Sequence, residues 1–99
     1  MKTAFILIKS PSEQDPTHMM ERLGSKEDSS VILFEDAVYH SVTPAHSVRL
    51  DSVATEVLIA KDDLEARGFT TADIKVGKAV GYDEIVDCIM ERTERTVNV

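Results

Sequence analysis

One thiol, a carboxylate pair and the histidines close behind that pair are the side chains of this 99-residue chain whose types could do chemistry. The thiol is Cys88. A sulfur-carrying cysteine needs an exposed thiolate, its pKa held down by a helix N-terminus or by cations. Cys88 falls well past the start of the helix expected from Tyr82. Glu84 lies one turn before it and Arg92 one turn after, so their effects on a thiolate oppose each other. At about 100° per residue, Cys88 sits roughly 120° from the middle of a stripe made by Tyr82, Ile85, Val86, Ile89 and Met90. That is a boundary position, and the expectation is a structural cysteine rather than a sulfur carrier.

The carboxylate pair is Glu35 and Asp36. Asp36 and His40 stand four apart and His46 follows, so a metal site can be drawn, but without the spacing of a known zinc site. Capping of a short helix by Asp36 is the simpler reading. Tyr39 and His40 then face solvent or a partner, where an aromatic ring with a polar tip is favoured. Glu35, Asp36, Tyr39 and His40 are accordingly expected at an interface; no catalytic residue, metal ligand or cofactor is assigned. Asp62 and Asp63 sit in a helix first turn, where acids are expected without magnesium. Met19 and Met20, with Leu23, read as core. No Gly-rich phosphate loop, nucleotide fingerprint or Ser/His/Asp pattern occurs. The loop over residues 10–15 occupies the turn where a flavodoxin-like fold binds phosphate, yet it lacks glycines or a hydroxyl cluster.

The elements that must position these residues follow from the apolar runs. Val31-Ile32-Leu33-Phe34 is an unbroken apolar run, suited to a strand buried on both faces of a parallel sheet. It runs into the acidic turn, and Ala37, Val38 and Val42 then share one face of a short helix. This strand, turn and helix unit organises the chain, and the carboxyl edge of such a sheet is where sites tend to sit. Residues 4–8 and 56–60 read as two more buried strands, and residues 76–80 as an edge strand weakened by Gly77 and Lys78. Asp15-Pro16 starts a helix that Gly24 closes in the left-handed conformation. Residues 61–68 form a brief helix ended by Gly68. Residues 45–54 are ambiguous, with Val48, Leu50 and Val53 able to pack as an irregular or helical turn. The last helix runs from Tyr82, and residues 97–99 are expected to fray. The first strand is expected at the centre of the sheet, flanked by the second and third. The result is a small, mostly parallel four-stranded sheet in a three-layer α/β/α domain over residues 1–99. Its short helices under-cover the sheet, which favours oligomerisation.

Composition narrows the function. A net charge of −7 and a pI near 4.8 argue against direct nucleic-acid binding. One cysteine allows no intrachain disulfide and fits a reducing cytosol. The apolar run at residues 4–8 is too short for a membrane span or a signal core. The expectation is an intracellular, cytoplasmic protein.

Three segments in order carry a resemblance: Leu33-Phe34-Glu35-Asp36-Ala37-Val38, then residues 58–69 with Asp63-Leu64-Glu65-Ala66-Arg67-Gly68, then Val80-Gly81-Tyr82-Asp83-Glu84-Ile85-Val86. Together they resemble the TusB/DsrH family of the DsrE/DsrF/DsrH-like sulfur-relay group, from the first strand to the last helix. The resemblance implies a flavodoxin-related layering. It also implies a hetero-oligomer with TusC/DsrF-like and TusD/DsrE-like subunits, two copies of each in the TusBCD-type complex. That complex passes persulfide sulfur toward 2-thiolation of the tRNA wobble uridine; the related Dsr complex serves sulfur oxidation. The relay thiol there generally belongs to the TusD-like subunit. Some DsrH chains carry a cysteine after the first strand, and residues 10–23 here hold none. The rival readings are a stand-alone homo-oligomeric sulfurtransferase using Cys88, and a DsrH-like protein of sulfur oxidation or ligand binding.

Overall fold

The computed structural model describes residues 2–13 and 15–99; Gln14, within the loop expected over residues 10–15, lies outside them. Five parallel strands form one sheet: β1 (Thr3–Leu7), β2 (Ser29–Leu33), β3 (Glu56–Ala60), β4 (Lys78–Val80) and β5 (Arg95–Asn98), in the order β4-β3-β2-β1-β5. The expected layering holds. Two details differ.

The sheet has a fifth strand, and β2 rather than β1 takes its centre. Every residue of β2 is buried, the apolar residues 31–33 and also Ser29 and Ser30 before them. The tail expected to fray is instead β5, in register with β1 from Thr3 opposite Arg95 to Ile6 opposite Asn98. It escapes a hydropathy reading because Val97 is its one apolar residue and both neighbours of Val97 are exposed. Polar anchors fix it: Arg95 Nε donates to Thr3 Oγ1 at 2.9 Å and Arg95 Nη2 to the Leu23 carbonyl. The Glu94 carboxylate accepts from the Lys2 backbone N–H at 3.0 Å.

One face of the sheet carries four helices: α1 (Thr17–Leu23), α2 (Tyr39–Val42), α3 (Pro44–Val53) and α4 (Lys61–Ala66). Phe5, Leu7, Val31, Leu33, Val57 and Ile59 meet Met20, Val38, Leu50, Val53 and Leu64 there. The ambiguous segment is therefore a helix, started by Pro44 at its first position, where a missing N–H costs nothing. The opposite face has one cover, α5 (Tyr82–Asp87) with its π-helical continuation Cys88–Arg92. Ala4, Ile32, Leu58, Ala60 and Val80 pack there against Ile85 and Cys88. The short helices under-cover the sheet on this face alone, four helices lying over the other.

Three local expectations separate. Gly68 ends α4 with φ +82°, as predicted. Gly24 is extended at φ −161° instead of left-handed, its N–H closing α1 onto the Met20 carbonyl at 3.1 Å. Asp15 caps from one residue earlier than a regular N-cap: its Oδ1 accepts from the Thr17 N–H at 3.1 Å and the Thr17 hydroxyl at 2.8 Å.

Gly77 is the glycine that the sheet cannot replace. Its φ is +77°, and a Cβ built on it would lie 2.3 Å from the Val57 carbonyl oxygen. Gly77→Ala should therefore destabilise the fold by about 2–4 kcal/mol, combining left-handed strain with displaced backbone. Urea unfolding of the variant beside the parent measures it, and a loss under about 1 kcal/mol would show that β4 can shift freely.

Candidate functional site

The carboxyl edge of the sheet is held by a turn under strain. Glu35 follows β2 with φ +49°, a conformation that a side chain makes costly. Two residues from α4 and its end fix it. The Asp63 carboxylate accepts the Glu35 N–H at 2.8 Å; Arg67 donates from Nε to Asp36 Oδ1 at 2.9 Å and from Nη1 to the Asp63 carbonyl at 3.1 Å. Asp36 thus pairs with Arg67 and caps nothing, a correction to the capping expectation. The reason is that the chain leaves β2 in a tight 3-10 turn, Glu35–Val38, which aims the Asp36 carboxylate across to α4.

Tyr39 and His40 part company. Tyr39 is 37% exposed and meets Phe69 edge-on at 5.5 Å between ring centroids. His40, expected to face solvent or a partner, is buried at 2% exposure. Its ring packs edge-on to His46 at 5.8 Å, and its Nε2 has no hydrogen-bond partner. Burial pulls the His40 pKa down to about 4, with the neighbouring His46 adding to the effect. His46 Nδ1 is in contact with Arg49 Nη2, and Asp36 is engaged elsewhere. Asp36, His40 and His46 are therefore not a metal triad, and no group of three or more His, Cys, Asp or Glu side chains fit to hold a metal occurs among the described residues.

Above this layer lies an open groove of about 510 Å³, lined by Ser10, Pro11, Ser12, Asp36, Tyr39, Thr43 and His46. The sequence lacks a hydroxyl cluster within the loop over residues 10–15; the fold assembles one by adding Tyr39 and Thr43 to Ser10 and Ser12. Only the parallel register that sets the first loop beside the second could reveal it.

At the opposite, amino edge sits the thiol. Cys88 is fully buried, against the boundary position expected for it. Its helix is rotated so that Ile85 and Cys88 face the sheet, while Tyr82 and Met90 of the expected stripe are 74% and 71% exposed. The Cys88 S–H points at Glu56 Oε1, 3.7 Å away. Glu56 also accepts from the Ser30 hydroxyl at 3.0 Å and pairs with Arg92 at 2.7 Å. Burial raises the Glu56 pKa, but the bonds from Arg92 and Ser30 outweigh it and hold the carboxylate below its usual range. The same surroundings push the Cys88 thiol up, first by burial and then by the Glu56 charge, against the smaller pull of Arg92. Sequence reasoning weighed Glu84 and Arg92 beside the thiol and missed Glu56, which sits 32 residues away on a neighbouring element.

The DsrH-like family model matches residues 9–95. The solution structure of protein Tm0979 from Thermotoga maritima is 25% identical and superposes with a TM-score of 0.62 over 85% of this chain and 87% of that one. The crystal structure of the ychN protein from E. coli superposes with a TM-score of 0.73 over 100% of both chains at 15% identity, a likeness of fold. Among curated proteins none matches.

Two outcomes follow. The neutral His40 is disfavoured as a cation in the folded state, so the unfolded chain binds more protons between its ordinary pKa of 6.5 and about 4. Stability should fall as pH drops through that window, by roughly 3 kcal/mol in all, and His40→Gln should flatten the slope. Urea midpoints at half-unit pH steps read it directly. In the native protein, Cys88 should react with a thiol-specific reagent at least about a hundredfold more slowly than in the urea-unfolded chain. Comparable rates would mean the thiol is open to solvent.

Proposed function

The chain belongs to the DsrH-like family of sulfur-relay proteins, and we propose that it serves as a non-catalytic subunit of a cytoplasmic persulfide-transfer complex. Its partners in this reading are TusC/DsrF-like and TusD/DsrE-like subunits, and the sulfur is destined for 2-thiolation of the tRNA wobble uridine. The observation that carries the reading is the state of Cys88. The chain's one thiol is fully buried, donates toward a carboxylate and has its pKa raised, the reverse of what a sulfur relay asks of its cysteine. The reactive thiol then belongs to another chain. What this one offers in this reading is a carboxyl edge braced by Asp63 and Arg67, beside which a partner's reactive loop can be held away from water. A net charge of −7 supports leaving any tRNA contact to other components.

The groove beside Tyr39, Thr43 and His46 favours a second reading, a ligand-binding member of the family. A metabolite that raises the melting temperature by several degrees would support that reading.

Native mass spectrometry on the tagged chain from its own cells tests the main proposal. Two related α/β subunits in equal copies are expected, with persulfide trapped on one of them. Cys88→Ser should leave sulfur transfer by the assembled complex within about twofold of the parent, because a buried thiol whose pKa is pushed up makes a poor sulfur carrier. Loss of transfer in a variant that still assembles would return Cys88 to the relay and sink the non-catalytic reading.

A further inference from the structure

The two faces of the sheet are not equally finished. On the α5 side, Ile6, Phe34 and Ile89 pack against the buried cluster while staying partly open to solvent. Beside them Tyr82, Val86 and Met90, four residues apart, are 74%, 38% and 71% exposed. Between Phe34 and Tyr82 a pocket of about 150 Å³ opens, floored by Ala60, Val80 and Ile85. A parallel sheet is ordinarily covered on both faces, and an apolar surface with a socket at one end has the anatomy of an interface centre.

Charge decides what covers it. Asp62, on the pocket rim, and Asp83 and Glu91, on α5 and its continuation, make no ion pair among the described residues. Two of the cations nearest them are already engaged: Lys78 holds Glu84 at 2.7 Å, and Arg92 holds Glu56 at 2.7 Å and Asp87 at 3.4 Å. Among the described residues Lys61 is the one cation that lines the pocket without an ion pair, outnumbered by Asp62, Asp83 and Glu91. Two copies meeting through this face would set acid against acid, on chains that each carry −7.

We infer that the α5 face is the docking surface for a different subunit, one that presents an apolar patch ringed by lysine and arginine and sets a side chain into the pocket between Phe34 and Tyr82. This rests on the hetero-oligomeric reading above and names the surface through which that assembly forms.

The test uses the complex purified from the organism's own cells and the isolated chain. Met90→Glu and Tyr82→Ala change exposed side chains, so the isolated variants should melt within about 2 °C of the parent. Each should weaken binding of the recovered subunit at least tenfold. Binding by the parent should also weaken as salt rises from about 0.1 M to about 1 M, which shortens charge screening from about 10 Å to about 3 Å. Carboxyl-to-amine cross-links should run from Asp83 or Glu91 to lysines of the partner. If relay subunits are recovered but cross-link elsewhere and ignore both substitutions, this inference fails and the relay reading stands. If the partner recovered has no part in sulfur transfer yet depends on Tyr82 and Met90, the relay reading fails and the surface stands. If the chain runs as a homodimer that Met90→Glu breaks, the occupant is a second copy and the charge argument is overturned.

Discussion

Every buried backbone amide in a parallel sheet is satisfied by its neighbours, but the side chains on both faces still have to leave water, and that requirement shapes this chain. Four helices answer it on one face and a single one on the other. The consequence appears along β2, whose five residues are all buried, whereas Ile6 on the adjacent β1 is left half-covered. With roughly 25 cal/mol gained per Å² of apolar area removed from water, such a face is a standing incentive to associate. The asymmetry is a property of the connections: β1 to β4 step in one direction across the sheet, and only the return through α5 to β5 crosses the other face.

The carboxyl edge shows a different economy. Glu35 keeps a left-handed backbone at a cost of order 1 kcal/mol or more, and a structure keeps such a residue only when its surroundings over-determine it. Here Asp63 takes its N–H and Arg67 grips both Asp36 and the Asp63 carbonyl. The acid, Leu, x, Ala, Arg, Gly segment that carries the family resemblance is therefore a brace. Asp63 and Arg67 lie one turn apart on one side of the short α4 segment, Leu64 plugs the core, and Gly68 turns the chain away. A sequence motif that looks like helix capping is, in the fold, the part that locks the second strand's exit.

What could be read from the residues divides along physical lines. The buried strands, the acidic turn and the Gly68 stop were legible because each is written in a short window: an apolar run, a change of pattern, a conformation that favours glycine. The strand Arg95–Asn98 was not, because its stability comes from Thr3, Lys2 and the Leu23 carbonyl, contacts about 70 to 90 residues away with no local apolar signal. The orientation of the last helix failed for a related reason. Its largest apolar side chains suggested the stripe, yet the sheet chose Ile85 and the small Cys88, and left Tyr82 and Met90 outside. His40 was misread because an imidazole reads as polar, while its neutral form can be buried at the cost of a lowered pKa.

Four of the eleven lysines and arginines sit in ion pairs among the described residues. Arg49 pairs with Asp15, Arg67 with Asp36, Lys78 with Glu84, and Arg92 with Glu56 and Asp87. Each pair is partly exposed and adds little stability by itself. Their larger effect is on the field. Each paired cation offsets an acid beside it, and around α5 Asp62, Asp83 and Glu91 remain without an ion pair among the described residues. On a chain of net charge −7 such an excess of acids attracts a basic surface and opposes a second acidic one, while apolar area decides how long an encounter lasts. In the docking proposed for the α5 face, charge selects the partner and hydrophobic area retains it, both acting from the same side of the sheet.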